Sequence, residues 1–388
     1  MNWLRDNILK ILIILGVTIV AIVVISLLIN PSSKGDNVVS APKYGELETK
    51  LQNAAIKYVN KHKSLLPTTT EKVTKIKLNT LQNNKYIGKL VAIEDSSVAC
   101  DGYVEITKLN EEKKDYRYTP FISCGEHYIT KAIGDYIIDT ETKDGTFTRT
   151  SEEGLYKIGD EYVFRGENVK NYIMLDSHLY RIIKIDADNY VELISINRTS
   201  NSYVWDDRYN IERDRTEGIN NFNKSRLHDS LVALYDNTSS SNGEVFFSET
   251  EKSYIVPYNY CTGKRSLNDT GIYSGAECKE TTELKVGILS LYEYARASID
   301  TNCKSVFEKS CANYNYFKTL GNKSNSNYNY MTMTGVLDNT YQYYRIRTDE
   351  VTATKTLNSS QLYPVIFINN KLIYASGTGT YEDPYIIR

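Results

Sequence analysis

The sequence predicts an α+β protein in which one N-terminal transmembrane helix precedes a large part rich in β-strands. Residues 11–29 form an apolar run without a charge. As a helix this run would extend roughly 28 Å, which matches the hydrocarbon thickness of a bilayer. Beyond it, short stretches of alternating apolar residues outnumber stretches with helical periodicity. The rest of the chain is therefore expected to be a mixed fold dominated by antiparallel strands.

The apolar run fits either an uncleaved signal anchor or a cleaved signal peptide. A signal peptide has an apolar core of about 7–15 residues with a small-residue cleavage site close behind it. Here the core is longer, and the nearest such site, at 39–41, lies well beyond its end. Arg5 and Lys10 precede the run, which favours a cytoplasmic N-terminus. We expect a cytoplasmic tail at 1–10, a transmembrane helix at 11–29, a spacer at 30–42 and extracellular domains beyond.

The cysteines and the net charge limit the compartment and the partners. All six cysteines lie beyond the apolar run, and this distribution is typical of an oxidising compartment. They fall into three pairs that are close in sequence, Cys100 and Cys124, Cys261 and Cys278, and Cys303 and Cys311. No CxxC spacing accompanies them, so we predict disulfides and no metal site. The formal net charge is −2, which gives no electrostatic footprint for nucleic-acid binding.

Residues 100–124 contain a candidate hairpin that would bring its two cysteines together. The strand-like residues 102–107 are followed by a polar turn at 110–115 and a second strand at 116–121. A hairpin centred on Glu112 places Cys100 opposite Cys124. Closing this loop is worth roughly 3 kcal/mol in the chain-entropy model.

Two domains are expected beyond the spacer. Residues 43–138 would form a membrane-proximal α+β domain, because a helical pattern at 44–63, with Glu48 among its polar positions, is followed by strand-like segments. A polar stretch without apolar periodicity, 139–154, predicts a linker. Residues 155–388 would form a distal β-rich recognition domain. The order of a helix and then a small antiparallel sheet over about 44–135 resembles the globular part of pilin-like proteins.

The distal domain contains several segments that together resemble a known family. They occur at 164–194, 203–210, 218–227, 285–294, 363–368 and 377–387. The whole part, about 155–388, resembles uncharacterised surface-protein domains of Firmicutes and related low-GC bacteria. This resemblance implies a cell-surface location and says little about activity.

Local signals in the distal domain predict two short helices. Leu227, Leu231 and Leu234 form a helical apolar face after a candidate N-cap at Asn223 or Ser225. The spacing of Ser290 and Glu293 fits a capping box. Two short helices among many strands favour a mixed α+β domain, for which a C-type lectin-like fold is our preferred expectation.

The sequence offers little sign of catalysis. It has no G-x-S-x-G elbow, no H-E-x-x-H motif and no glycine-rich phosphate loop. The four histidines occur in unrelated contexts. We therefore expect no catalytic residue, no cofactor and no enzyme activity, although carboxylates are numerous enough to leave an envelope enzyme as an alternative.

Two sets of residues are candidates for ligand binding. One combines aromatic rings with carboxylates and a guanidinium, as sugar rings require; it consists of Tyr203, Trp205, Asp206, Asp207, Arg208 and Tyr209. Alternatively, Trp205 anchors the core and Asp206 or Asp207 caps a turn. The second set, Tyr328 and Tyr330, lies in a stretch of tyrosines interleaved with Asn and Ser. That composition is typical of recognition loops and equally of ordinary strands in a tyrosine-rich chain.

These observations favour a membrane-anchored bacterial cell-surface protein with a non-catalytic extracellular recognition domain. Its ligand would be a glycan, a cell-wall polymer or a protein. The first alternative is a structural subunit of a pilus-like or envelope assembly, and the second is an envelope enzyme.

Overall fold

The computed structural model describes residues 41–109, 111–143, 152–238, 243–273, 275–320, 328–348 and 350–388. The predicted transmembrane helix at 11–29 and the tail at 1–10 lie outside these residues. Within the described part of the chain, no helix has the length and apolar character needed to span a bilayer.

The described residues contain six α-helices. They are α1 (Ala41–Lys61), α2 (Leu78–Asn83), α3 (Ile133–Glu141), α4 (Arg226–Asp236), α5 (Glu249–Tyr254) and α6 (Leu291–Arg296). Short 3₁₀ segments occur at Lys63–Leu65, Phe222–Lys224, Glu277–Lys279, Lys309–Ala312 and Tyr316–Thr319. Ser225 caps α4 by accepting a hydrogen bond from the His228 amide, 3.1 Å away, so the second of the two predicted capping residues is the observed one. The Glu293 carboxylate accepts from the Ser290 amide at 2.8 Å, as the capping box requires.

Most of the described elements are strands. They are β1 (Val73–Lys77), β2 (Asp101–Lys108), β3 (Tyr116–Ser123), β4 (Gly154–Ile158), β5 (Glu161–Arg165), β6 (Tyr172–Leu175), β7 (His178–Ile185), β8 (Val191–Ser195), β9 (Tyr209–Asn210), β10 (Arg215–Thr216), β11 (Ile255–Val256), β12 (Tyr258–Cys261), β13 (Lys264–Arg265), β14 (Thr281–Leu284), β15 (Asn329–Val336), β16 (Gln342–Arg347), β17 (Glu350–Lys355), β18 (Val365–Ile368), β19 (Tyr374–Ser376) and β20 (Tyr385–Ile387). The predicted mixed, β-rich α+β class is confirmed.

Two larger sheets share one apolar core. The first has the order β11-β18-β8-β7-β6-β20-β19, with β5 joined to β7 and β4 to β5. The second has the order β13-β15-β16-β17. Ile182 and Ile366 from the first sheet and Tyr330 and Ile346 from the second belong to the same buried cluster. Smaller sheets are formed by β1-β2-β3, by β12-β14 and by β9-β10.

The β2–β3 hairpin has the predicted register. Asp101 pairs with Ser123 and Lys108 with Tyr116, so the hairpin is centred on Glu112. Cys100 and Cys124, one residue beyond the first pair, form a disulfide. The other two disulfides join Cys261 to Cys278 and Cys303 to Cys311, so all six cysteines pair locally.

Helix α1 packs on this hairpin and differs from the prediction in its bounds and in the position of Glu48. It begins three residues before the predicted position 44 and ends at Lys61 instead of 63. Glu48 was expected on its polar side but is fully buried. Glu48 lies four residues after Tyr44 and three before Leu51, so it belongs to the same helical face. Its carboxylate pairs with Arg388 and accepts a hydrogen bond from the Tyr128 hydroxyl at 2.9 Å.

Strand β7 contains a bulge that sets the directions of two cations. Arg181 pairs with Ile194 of β8, whereas Lys184 pairs with Glu192, so β7 has one extra residue between the two positions. Side chains alternate along a strand, so residues three positions apart normally lie on opposite faces of the sheet. The extra residue brings Arg181 and Lys184 to the same face of the sheet.

Residues 41–388 form one compact unit in the described structure. The Ile133 amide donates to Leu372 at 2.7 Å, and the Tyr136 and Tyr374 rings stack with centroids 3.5 Å apart. Part of the predicted linker, 144–151, lies outside the described residues. The division into domains at 43–138 and 155–388 stays a prediction.

Candidate functional site

The first predicted ligand set is divided between the core and the surface. Tyr203, Trp205 and Asp206 are buried, and Trp205 has no exposed surface. The Trp205 indole donates to the Thr332 carbonyl at 3.0 Å. Asp207 and Tyr209 are exposed and Arg208 is half-buried. The six residues therefore do not form one continuous aromatic and charged surface.

The Asp206 carboxylate connects neighbouring segments of the chain through hydrogen bonds. One of its carboxylate oxygens accepts from the Arg226 amide at 3.0 Å and from Arg208 Nε at 2.9 Å. The other accepts from the Ile219 amide at 2.7 Å. Arg226 is the first residue of α4, so this carboxylate satisfies a free amide at the helix start. The placement agrees with the alternative in which Trp205 anchors the core and Asp206 caps a turn.

The second predicted set is also buried. Tyr328 and Tyr330 are almost fully covered. The Tyr330 hydroxyl donates to the Phe317 carbonyl at 2.6 Å, and the Tyr328 and Tyr294 hydroxyls lie 2.9 Å apart. These rings fill the core beside β15, as a tyrosine-rich strand would place them.

A different place combines exposed aromatic surface with charge. A cleft of about 370 Å³ opens where the β5–β6 loop, the β19–β20 loop and the end of the 3₁₀ segment Tyr316–Thr319 meet. It is lined by Glu167, Asn168, Val169, Lys170, Tyr172, Arg181, Thr319, Thr380, Tyr381 and Glu382. None of these lining residues was a predicted site residue. We call this place the Arg181 cleft.

The conformation of the β5–β6 loop in the Arg181 cleft is fixed by a carboxylate and a glycine. Glu153 accepts hydrogen bonds from the amides of Glu167 and Asn168, at 3.0 and 2.9 Å. Gly166 has a φ of +123°, and a Cβ at this position would lie 2.6 Å from the Glu153 side chain. Only glycine permits this close approach. The loop is therefore set before any ligand arrives.

The β19–β20 loop contacts the β5–β6 loop and the start of β6 directly. Gly379 has a φ of +75°, and its carbonyl accepts from the Tyr172 amide at 2.9 Å. A Cβ on Gly379 would lie 2.7 Å from the Lys170 carbonyl oxygen. This contact brings Tyr381 and Glu382 close to β6.

Arg181 forms the inner wall of the cleft. Its Nε donates to Asn171 Oδ1 at 2.7 Å, and its Nη1 donates to the carbonyls of Tyr316 and Thr319 at 3.2 and 3.1 Å. Its guanidinium carbon lies 4.3 Å from the ring centroid of Tyr172 and 4.8 Å from that of Tyr316. Two ring faces and several carbonyls thus stabilise a buried cation.

Burial lowers the pKa of Arg181, while nearby tyrosines, Tyr172 first, act to raise it. An arginine remains protonated across the physiological range. The Arg181 cleft therefore contains a permanent positive charge at low local dielectric, where a bound anion interacts more strongly than it would in water.

A second group of charges surrounds Lys184 of strand β7. Lys184 Nζ lies 2.7 Å from Glu161 and 3.8 Å from Glu192, and Arg296 lies 2.9 Å from Glu161. The fifth member is Glu293, which accepts from the Tyr292 hydroxyl at 3.1 Å. We call these five residues the buried ion cluster.

The buried ion cluster combines three carboxyl groups with two cations. Burial, followed by the neighbouring Glu293, raises the pKa of Glu192 well above its usual value. Burial also acts to raise the pKa of Glu161, but Lys184 and Arg296 outweigh it and lower that pKa. With all five groups ionised the cluster would have a net charge of −1, and the raised pKa of Glu192 favours the protonated form that would make it neutral.

The described residues show no group of three or more His, Cys, Asp or Glu side chains arranged to hold a metal ion. Comparison of the chain with protein-family models, with curated proteins and with solved structures finds no match. The resemblance to low-GC surface domains therefore stays a prediction. Function has to be argued from the Arg181 cleft itself.

Proposed function

We propose that this chain is a membrane-anchored bacterial cell-surface protein whose extracellular part recognises a glycan, cell-wall or protein ligand without catalysis. In this proposal residues 11–29 cross the membrane and the tail at 1–10 is cytoplasmic. The three disulfides support an oxidising location. A C-type lectin-like distal part and the relation to low-GC surface domains belong to the same proposal.

The Arg181 cleft is the observation that supports recognition. Binding sites typically combine an apolar or aromatic surface with a few convergent polar groups. Here Tyr381 is 39% exposed and meets the Tyr172 ring edge to face, with centroids 5.4 Å apart. Charged and amide groups surround these rings. Both loops are fixed by hydrogen bonds within the protein, which reduces the entropy cost of binding.

The test is a binding screen of the full-length chain in detergent against glycans, cell-wall fragments and surface proteins. A Tyr381→Ala variant should lose binding by about tenfold or more, because it removes the accessible ring. The matched control is Tyr273→Ala, which removes an exposed tyrosine that does not line the cleft. Binding that Tyr381→Ala leaves unchanged would contradict the assignment of the cleft.

The proposed orientation has its own test. Protease added to intact cells should digest the part beyond residue 42, and non-reducing mass spectrometry should find the three disulfides. Protection of that part in intact cells, with digestion only after lysis, would contradict the proposed orientation.

A further inference from the structure

We infer that the ligand of the Arg181 cleft is an acidic saccharide, whose carboxylate lies beside Arg181 and Lys170 and whose ring lies against Tyr381. The inference rests on the proposed recognition function and names its ligand class. It follows from three properties of the cleft.

The first property is a buried cation without an acidic partner. Among the described residues, no carboxylate oxygen lies within 4.0 Å of the Arg181 guanidinium. Glu153 acts on it only from beyond that distance. Three other buried cations, Arg265, Lys184 and Arg296, do have glutamate partners. Glu277 pairs with Arg265, and Glu161 pairs with both Lys184 and Arg296. A bound anion would supply the partner that Arg181 lacks.

The second property is that Arg181 has an N–H donor left for a ligand. The Nε and Nη1 atoms of Arg181 are committed to Asn171, Tyr316 and Thr319. Its Nη2 has only one long contact, 3.5 Å to the Val169 carbonyl. Lys170, on the same loop, is exposed and lines the cleft. A carboxylate has two acceptor oxygens, which suit one guanidinium N–H and one ammonium group.

The third property distinguishes a saccharide from a bare anion. Glu167 and Glu382 line the same cleft. Their carboxylates would repel a small inorganic anion, but they would accept hydrogen bonds from sugar hydroxyls. The exposed ring of Tyr381 offers an apolar face for the C–H side of a sugar. A ligand with hydroxyls, an apolar face and one carboxylate satisfies all of these groups together.

The test uses pairs of sugars that differ mainly in the carboxylate. Full-length protein in detergent is titrated with glucuronic acid against glucose, and with N-acetylmuramic acid against N-acetylglucosamine. We expect at least one acid to bind about tenfold more tightly than its neutral partner, because a charge-assisted hydrogen bond is lost in the neutral sugar. This preference should fall as ionic strength rises. A preference for glucuronic acid would indicate an exported polysaccharide as the source of the ligand, and a preference for N-acetylmuramic acid would indicate the cell wall.

Variants separate the carboxylate contact from a loss of folding. Lys170→Gln removes an exposed charge and should reduce the preference for the acid over its neutral partner. Lys113→Gln, an exposed lysine in the β2–β3 turn, is the control and should change neither. Arg181→Gln should abolish binding of both sugars, with circular dichroism and thermal unfolding recorded alongside because Arg181 also holds neighbouring carbonyls.

The outcomes distinguish this inference from the proposed function. Equal affinity for acidic and neutral sugars, lost in Tyr381→Ala, would overturn the acidic ligand and leave recognition standing. Acetate binding as tightly as the acidic sugars would overturn the saccharide. No sugar binding at all, with a protein ligand lost in Tyr381→Ala, would overturn the inference alone. No ligand of any class at the cleft would overturn both.

Discussion

Lys184 Nζ and Glu192 Oε2 face each other within the core at 3.8 Å, on adjacent strands of the largest sheet. Both side chains are buried. The ammonium group is 2.7 Å from Glu161, so its shortest contact is made with a different carboxylate. Lys184 is therefore shared between two carboxylates, and burial together with the neighbouring Glu293 raises the pKa of Glu192 well above its usual value.

The pKa of Glu192 predicts a pH-dependent stability. The folded-state pKa is raised above the usual 4.5. The stabilising contribution of this residue to the free energy of unfolding is therefore fully present below pH 4.5 and is lost as the pH rises toward the folded pKa. Burial is the largest cause of the raised pKa; Glu293 and Glu161 raise it further, and Lys184 acts to lower it. The loss should amount to at most about 1.4 kcal/mol per pH unit within this window.

The check is urea unfolding of the wild type and Glu192→Gln across pH 4 to 9, in steps of about one unit. The glutamine cannot ionise, so the variant should show a flatter pH profile above pH 4.5. Asp207→Asn removes an exposed carboxylate as the control and should keep the wild-type slope. Parallel profiles for wild type and Glu192→Gln would mean that Glu192 is ionised in the folded protein.

Truncating Trp205 should destabilise the protein. Its ring packs against Phe222 and Tyr343, and its indole N–H reaches Thr332. Trp205→Ala should reduce the free energy of unfolding by about 3–5 kcal/mol through the cavity and the lost hydrogen bond. Tyr209→Ala, whose ring is 53% exposed, should change it by less than about 0.5 kcal/mol. Chemical denaturation of both variants measures the difference. A stable Trp205→Ala protein would restore this residue as a candidate for binding.

A side chain on Gly379 should damage the cleft and the fold together. Gly379→Ala meets both a positive φ and the close Lys170 carbonyl oxygen. We expect a loss of about 1–3 kcal/mol in unfolding free energy, together with weaker ligand binding. Gly271→Ala is the matched control, since a Cβ there meets nothing within 4 Å. Unfolding curves and the sugar titrations provide the two readouts, and equal behaviour of the two variants would contradict the strained position.

Removing the Cys100–Cys124 disulfide should lower stability without altering the Arg181 cleft. The bond closes a loop with a sequence separation of 24. The Cys100→Ala/Cys124→Ala double variant should lose about 3–4 kcal/mol in the chain-entropy model. Sugar affinity at moderate temperature should be retained, because neither cysteine lines the cleft. Calorimetric unfolding and titration test the two expectations. An unchanged unfolding temperature would show that the β2–β3 hairpin is already restrained in the unfolded chain.

The parts that were predictable from the sequence depend on local patterns. The register that joins Cys100 and Cys124 follows from alternation on both sides of one turn, and the cap at Ser225 follows from residues within one helical turn. The position of Glu48 was misjudged because its charge was given more weight than its spacing from Tyr44 and Leu51. A buried carboxylate needs distant partners, here Tyr128 and Arg388, and no local pattern reveals them.

The Arg181 cleft was missed for the same reason. Its walls come from the β5–β6 loop, from Arg181 in β7, from Thr319 and from the β19–β20 loop, and only the folded sheets bring these together. One sequence feature could have indicated the cleft, namely the pair of glycines Gly377 and Gly379 just before Tyr381. Conversely, the aromatic and charged residues at 203–209 looked like a site because they are adjacent in sequence, yet core packing separates them.

The bulge in β7 limits how this protein can vary by insertion and deletion. Substitution at Ile183 changes one side chain, whereas deletion of a single residue there would restore regular alternation and turn Lys184 to the opposite side of the sheet. Glu192 would then remain in the core without its cation. Homologous sequences should therefore keep the length of β7 constant even where its residues differ, and engineered loop grafts should leave the segment from Arg181 to Lys184 intact.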